Sequence, residues 1–162
     1  MHNLSTPTAS VPVQYAITDI VPHAGKMCLL DRALEGDAES LSCEVTIKDD
    51  DLFFVNDGVD AWVGIEYMAQ TVAAWAGWRA RLKGELPKIG FLLGSRRYES
   101  THPRFARGEV LRVDVHRQFH ADNGIGQFDC RIVLNGQAIA TATLTVLEPT
   151  NAAEFLLEQS RE

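Results

Sequence analysis

The chain has 162 residues, and its 22 acidic and 15 basic side chains give a formal net charge of −7. With 46% hydrophobic and 23% charged residues it has the composition of a folded globular domain, which excludes a disordered chain. The acidity argues against nucleic acid as a partner, because most nucleic-acid affinity comes from contacts between a basic face and phosphates. A chain of this length buries roughly 70% of its unfolded surface, so we expect one domain without structural disulfides.

The ends of the chain and its cysteines indicate the expected setting of the domain. Residues 1–14 are expected to be a mobile tail, and the first ten lack the basic and apolar runs of a secretory signal. Residues 150–162 are expected to form a short C-terminal helix or tail, because Asn151 and Glu154 have the spacing of a helix cap. The three cysteines form no C-x-x-C pair, which favours a reduced, cytoplasmic compartment. No stretch of about 18 uninterrupted apolar residues occurs, so no membrane span is expected.

The segment from Asp60 to Lys83 is the clearest predicted element. Its apolar residues cover most of a helical wheel, which predicts a helix that is buried on nearly every side. Asp57 and Asp60 are expected to cap its N-terminus, and Gly84 and Pro87 are expected to end it. We therefore expect this helix at the centre of the domain.

Several segments alternate between apolar and polar residues, as strands with one buried face do. In residues 111–120 the apolar positions, Phe119 included, are expected to face the core. The dipeptide Asn135-Gly136 predicts a tight hairpin, because both turn residues must accept positive φ. The predicted strands are 28–34, 41–47, 88–98, 111–120, 127–134 and 137–147.

The last of these strands is rich in alanine. Ala138, Ala140 and Ala142 are expected to leave room for the helix on one face of the sheet. Residues 15–149 are therefore predicted to form a single α+β domain, in which a curved antiparallel sheet is wrapped around one long central helix.

Two stretches of the chain resemble the signature motifs of a known family. Residues 22–32, PHAGKMCLLDR, and residues 64–70, GIEYMAQ, resemble the motifs of hotdog-fold 3-hydroxyacyl-acyl-carrier-protein dehydratases, and the order of elements fits that family over residues 20–148. Better-known members carry a catalytic histidine just before the helix, but residues 53–58 contain none. The chain is therefore more similar to the divergent dehydratase-like branch associated with aryl-polyene-type pathways, in which P-H-x-G-x-M-x-L-L-D is prominent.

The resemblance implies dehydration of a 3-hydroxyacyl thioester to the trans-2-enoyl thioester, in fatty-acid or polyene-type lipid biosynthesis. We expect His23 to take the C2 proton and Glu66 to protonate the leaving hydroxyl. The apolar neighbours of Glu66 are expected to desolvate its carboxyl and keep it available as a proton donor. Roles in substrate binding are expected for Gln70, which can hydrogen-bond Glu66, for Asn56, and for the helix-start amides of Ala61 and Trp62.

The expected partners follow from the same resemblance. The substrate would be carried on the phosphopantetheine arm of an acyl carrier protein or of acyl-CoA, and no cofactor of the chain's own is expected. No metal is expected either, because the sequence has no metal-binding pattern of histidines or cysteines. The family also implies a homodimer or higher oligomer whose sheets join edge to edge, which covers an exposed strand edge.

The basic residues are unevenly distributed along the chain. Residues 79–107 carry eight basic and two acidic side chains, a local charge of +6 in an acidic protein. Such an asymmetry can steer an acidic macromolecule or a phosphate to one place. The residues expected to dock the carrier protein are Arg79, Arg96, Arg97 and Arg104. A solvated face with counter-charges nearby in space explains the same pattern equally well.

Two other functions stay open. A hotdog acyl thioesterase would use the same helix carboxylate, with water attacking the thioester and no need for His23. A non-catalytic acyl-binding or partner-stabilising subunit is consistent with the absent pre-helix histidine. Of the remaining polar candidates, His102 is expected to be loop, Cys28 a structural thiol, and His116 and His120 part of the wet face of a strand.

Overall fold

A long buried helix lies at the centre of the molecule, which a computed structural model describes over residues 6–87 and 90–148. This helix, α2, spans Gly64–Leu82 and follows a 3-10 turn at Ala61–Val63. The prediction of a central helix is confirmed, and Met68, Ala74 and Trp78 are almost fully buried. After the helix the chain turns at Gly84, which has a φ of 74°. No helix in the described part is long and apolar enough to cross a membrane.

The expected aspartate caps do not form at the start of this helix. Neither N-terminal turn has a side-chain cap hydrogen bond. The Asp60 carboxylate instead pairs with Arg104, and that of Asp57 lies 2.8 Å from the Arg107 guanidinium. Both carboxylates therefore hold residues 104–107 near the start of the helix, and they do not accept hydrogen bonds from helix amides.

A seven-stranded antiparallel sheet packs against the helix, in the α+β arrangement that the sequence predicts. Its strand order is β1-β2-β3-β8-β9-β10-β6, and a small second sheet has the order β4-β5-β7. The large sheet consists of β1 (Val11–Pro12), β2 (Arg32–Gly36), β3 (Ser40–Thr46), β6 (Phe91–Ser100), β8 (Val110–His120), β9 (Ile125–Leu134) and β10 (Gln137–Leu147). The small sheet consists of β4 (Phe54–Val55), β5 (Gly58–Asp60) and β7 (Arg104–Ala106).

Several predicted boundaries need correction. The strand predicted at 28–34 begins only at Arg32, because residues 25–27 form a 3-10 turn. The chain joins the sheet at Val11, where β1 pairs with β2, so the predicted tail to residue 14 is too long. The hairpin at Asn135-Gly136 is confirmed, with φ values of 51° and 80°. The C-terminal helix predicted at residues 150–162 lies outside the described residues.

Two β-bulges reverse faces that simple alternation predicts. The β8–β9 register shifts between Arg117 and Phe119, and the Phe119 side chain, expected in the core, is 52% exposed. A second shift, between Ala138 and Ala140, leaves Ala138 exposed while Ala140 and Ala142 are buried. An inserted residue changes which side chains face inward beyond it, and period-two alternation cannot anticipate that.

A short helix, α1 (Ile17–Ile20), packs directly on the C-terminal half of α2. The contact depends on Gly77, because a Cβ built at this position would overlap the carbonyl of Ile20. Arg81 also donates from Nε to the Asp19 carbonyl at 2.9 Å. This packing fixes the chain just before residues 22–28, which form one wall of the site.

Candidate active site

A cavity of about 800 Å³ lies along one side of α2. The helix contributes Glu66, Ala69, Ala73 and Ala76, whose spacing places them on one helical face, and Arg79 at its C-terminal end. The opposite wall comes from the adjacent ends of β6, β8, β9 and β10, with Phe128 and Val146 among its apolar side chains. His23, in the segment after α1, lies on the wall beside Glu66. The cavity thus combines an apolar surface with two groups that can transfer protons.

The two side chains proposed as acid and base lie next to each other. Nε2 of His23 is 3.9 Å from Oε1 of Glu66, and the two side chains are 27% and 41% exposed. Glu66 is therefore at the cavity wall, less buried than its apolar neighbours suggest. The other ring nitrogen, Nδ1 of His23, is buried and has no hydrogen-bond partner in the described structure.

Gln70 ties the loop that carries the histidine to the helix that carries the glutamate. Its side chain is fully buried, and Oε1 accepts a hydrogen bond from the Leu29 amide at 2.9 Å. Its Nε2 donates to the Met27 carbonyl at 2.8 Å and to Oε1 of Glu66 at 3.1 Å. The expected hydrogen bond between Gln70 and Glu66 is present. Because Gln70 is enclosed by protein, its geometry is that of a positioning residue rather than of a substrate contact.

The other three expected substrate-binding positions lie away from this cavity. The Ala61 amide donates to the Pro103 carbonyl at 3.0 Å, so it cannot also donate to a thioester oxygen. The Trp62 side chain is 60% exposed, and this residue does not line the cavity either. Asn56 is exposed and has a φ of 50° in the turn between β4 and β5, which explains an asparagine there without a ligand.

The predicted docking patch of four arginines is not one surface. Arg79 lines the cavity, whereas Arg97 lines a groove on the outer face of the sheet together with Asp114 and Arg131. Arg96 is exposed on β6, and Arg104 is bound to Asp60. Arg96 and Arg97 are separated from Arg79 because β6 places them at the edge of the sheet, whereas α2 directs the Arg79 side chain into the cavity.

Two cavity residues were missed by reading the sequence. Arg117 and His120 line the end of the cavity opposite to the histidine and glutamate pair, although alternation places His120 on the wet face of β8. The bulge after Arg117 causes this difference. The sequence signal for these residues is a run of polar side chains near the end of a long strand. Such a run does not distinguish a β-bulge from a regular strand end.

The cysteines have the environments of structural thiols. Burial raises the pKa of Cys28, whose Sγ lies 3.6 Å from the Leu30 carbonyl, and burial raises the pKa of Cys43 to about 12. A thiol with a raised pKa is a poor nucleophile at neutral pH. Within residues 6–87 and 90–148, no group of three His, Cys, Asp or Glu side chains is arranged to hold a metal ion.

Comparisons with solved structures agree with this architecture. The dehydratase heterocomplex ApeI:P from Xenorhabdus doucetiae matches with a TM-score of 0.81 and 27% identity, over 88% of this chain and 96% of that chain. The PaaI protein of E. coli, from the phenylacetic acid degradation operon, matches with a TM-score of 0.55 and 12% identity, over 72% and 77% of the two chains. Zebrafish thioesterase superfamily member 2 matches with a TM-score of 0.60 and 10% identity, over 80% of this chain and 88% of that chain. The last two likenesses show the hotdog fold alone.

The family of the chain follows from comparisons of its amino-acid sequence. No curated protein sequence matches the chain. The family model of the ApeP-like proteins, described as ApeP dehydratase, matches residues 15–157, which is nearly the whole chain. The chain therefore belongs to the ApeP-like dehydratase family and has its hotdog fold.

Proposed function

We propose that this protein dehydrates 3-hydroxyacyl thioesters carried on a phosphopantetheine arm, and that His23 and Glu66 transfer the protons. The observation that carries this proposal is the 3.9 Å approach of His23 Nε2 to Glu66 Oε1 inside an apolar cavity. An elimination needs a base at C2 and an acid at the C3 hydroxyl, and the substrate atoms concerned are adjacent. Two proton-transfer groups a few ångströms apart meet that requirement.

Each step can be assigned to a group of this chain. His23 takes the C2 proton, and the electron pair of the C–H bond moves toward the thioester carbonyl as an enolate. The C3–O bond then breaks, the C2–C3 double bond forms, and Glu66 gives its proton to the departing hydroxyl as water. The protonated imidazole returns its proton to the Glu66 carboxylate, directly or through one water, which restores the starting state.

The apolar part of the cavity suits an acyl chain. Ala69, Ala73 and Ala76 form a strip of small side chains on α2 that faces Phe128 and Val146 on the sheet. Small residues on one wall leave width for a chain of methylene or vinylene groups, and its burial contributes about 0.8 kcal/mol per CH₂. The cavity thereby favours a lipid-like substrate over a polar metabolite.

We propose that the chain associates through β6. This strand lies at the end of the sheet, and most of its residues are exposed, Leu92 by 43% and Leu93 by 52%. A long exposed edge strand is a template for pairing with another chain. A homodimer is the expected form, and sedimentation that shows a monomer at micromolar concentration would contradict it. The ApeI:P relative is a heterocomplex, so a second hotdog chain is the alternative occupant of this edge.

Two signals recorded on one substrate test the activity. The wild-type chain is incubated with a 3-hydroxyacyl carrier protein, while enoyl thioester is followed by ultraviolet absorbance and free thiol by a thiol-reactive dye. A dehydratase raises the first signal and leaves the second flat. A thioesterase does the reverse. A chain that produces neither signal, with the β6 partner present or absent, would be an acyl-binding subunit.

A further inference from the structure

Arg79 occupies an unusual position at the end of the cavity remote from the acid/base pair. Its side chain is half-buried, and its guanidinium lies over the Trp75 ring, 4.5 Å from the centroid. Among the described residues, its buried Nε has no hydrogen-bond partner, and no carboxylate is within ion-pair distance of it. A buried donor without an acceptor is costly, so a ligand that supplies one gains affinity.

No ion pair in the described ranges neutralises the positive charge of Arg79 directly. Arg117 lies over the same ring, 5.0 Å from its centroid, but Glu39 already binds Arg117 at 2.8 Å and 3.3 Å. Burial, together with the nearby Arg117, holds the pKa of the Arg79 guanidinium below its usual value against the opposing effect of Glu148 and Glu39, although arginine stays charged at neutral pH. An anion at this position would relieve both effects.

Other charged groups line the same end of the cavity. His120, Asp122 and Glu148 lie on its wall, and both carboxylates are beyond ion-pair distance of Arg79. Glu39 and Glu148 offset part of the positive charge at Arg79 from a distance, and neither forms an ion pair with it in the described ranges.

The distance from the reacting groups defines which substrate atom could reach Arg79. Glu66 and Arg79 both line the cavity and are thirteen residues apart in α2, which corresponds to about 20 Å along the helix axis. The strip of alanines between them is open to the cavity. We infer that Arg79 binds an anionic group of the substrate about 20 Å from the reacting carbons, an inference that rests on the proposed function. The phosphate of the phosphopantetheine arm and an acidic group at the end of the acyl chain share this chemistry. The alanine strip holds the pantetheine arm in the first case and the acyl chain in the second.

Matched pairs of substrates test the inference. The first pair is a 3-hydroxyacyl pantetheine and the same thioester with the 4′-phosphate. The second pair is two 3-hydroxyacyl pantetheines whose acyl chains end in a methyl group or a carboxylate. The variants are Arg79→Gln and the control Arg131→Gln, which removes the same charge from β9 on the outer face of the sheet.

We expect wild type to prefer the anionic member of one pair in kcat/KM by about tenfold or more, the size of one hydrogen bond to a charged group. Arg79→Gln should remove that preference, and Arg131→Gln should keep it. Loss of the phosphate preference assigns the anion to the arm, and loss of the carboxylate preference assigns it to the acyl end. Turnover by wild type with no preference in either pair, or preferences that Arg79→Gln leaves intact, would overturn the inference.

A binding measurement separates this inference from the activity. Calorimetry with unacylated phosphopantetheine and pantetheine, and with a non-hydrolysable carboxy-terminated acyl pantetheine thioether and its methyl-terminated analogue, requires no reaction. If wild type makes no enoyl product but binds one anionic ligand in an Arg79-dependent way, the proposed dehydration fails and the anion site stands. Equal binding within both pairs by wild type would remove the site whatever the activity.

Discussion

Nε2 of His23 lies 3.9 Å from Oε1 of Glu66, and both side chains come from the same chain. The loop that carries the histidine is held against α2 by Gln70, which bonds to Met27 and Leu29 on the loop and to the glutamate itself. The proposed acid/base pair is therefore formed by two residues of one chain. Each part of this arrangement can be removed separately.

Glu66→Gln keeps the shape of the side chain but removes its dissociable proton. We expect the dehydration rate to fall by about 10²- to 10⁴-fold, the contribution of one general acid. The control is Glu44→Gln, which changes an outer-face carboxylate that pairs only with the exposed Arg32. Both variants should unfold at the wild-type urea midpoint, since neither position is in the core. Wild-type turnover by Glu66→Gln would exclude this residue as the acid.

His23→Ala removes the proposed base. A similar loss of about 10²- to 10⁴-fold is expected in enoyl formation from the carrier-bound substrate. His102→Ala is the matched control, because His102 lies outside the cavity and its Nδ1 is 2.9 Å from the Thr101 hydroxyl. If His23→Ala retains near-normal dehydration while Glu66→Gln is inactive, Glu66 works with water and the assignment of the base is wrong.

Gln70→Leu should affect both folding and catalysis. The substitution leaves the Leu29 amide and the Met27 carbonyl without their partner, at a cost of about 1–3 kcal/mol for each buried group left unpaired. The midpoint of urea unfolding is expected to fall, and the dehydration rate at saturating substrate should fall as well, because the His23 loop is released. A variant with normal stability and normal rate would show that the loop holds its position without Gln70.

Gly77→Ala should destabilise the protein, in contrast to most glycine-to-alanine changes in helices. Alanine usually favours a helix interior by about 1 kcal/mol. At this position the new Cβ would overlap the Ile20 carbonyl, and overpacking of this kind costs about 1–3 kcal/mol. Gly94→Ala, where the added Cβ meets open space, is the control. Thermal unfolding should therefore move to lower temperature only for Gly77→Ala.

The sequence predicts the main elements because their signals are local. The apolar wheel of α2 and the turn at Asn135-Gly136 depend on neighbours within a few residues, and both appear in the structure. The family motifs predict that His23 and Glu66 act together, and the structure places their side chains 3.9 Å apart. Their roles in the reaction stay predictions.

What the sequence did not predict depends on long-range packing. The bulge after Arg117 is set by pairing with β9, and it brings His120 to the cavity. The Ala61 amide is taken by the Pro103 carbonyl, a contact between segments that are far apart in the chain. Arg79 and Arg97 look equivalent as basic residues, but the sheet separates them. None of these facts follows from composition or period.

The rate of enoyl formation in single turnover, measured for wild type, Glu66→Gln, His23→Ala and the double variant, tests whether the two residues act as one acid/base unit. Removing either member of such a unit disables the step that needs both, so the double variant should be no more than about tenfold slower than the slower single variant. Two independent losses that multiply in the double variant, or a single variant that keeps the wild-type rate, would contradict dehydration by this pair.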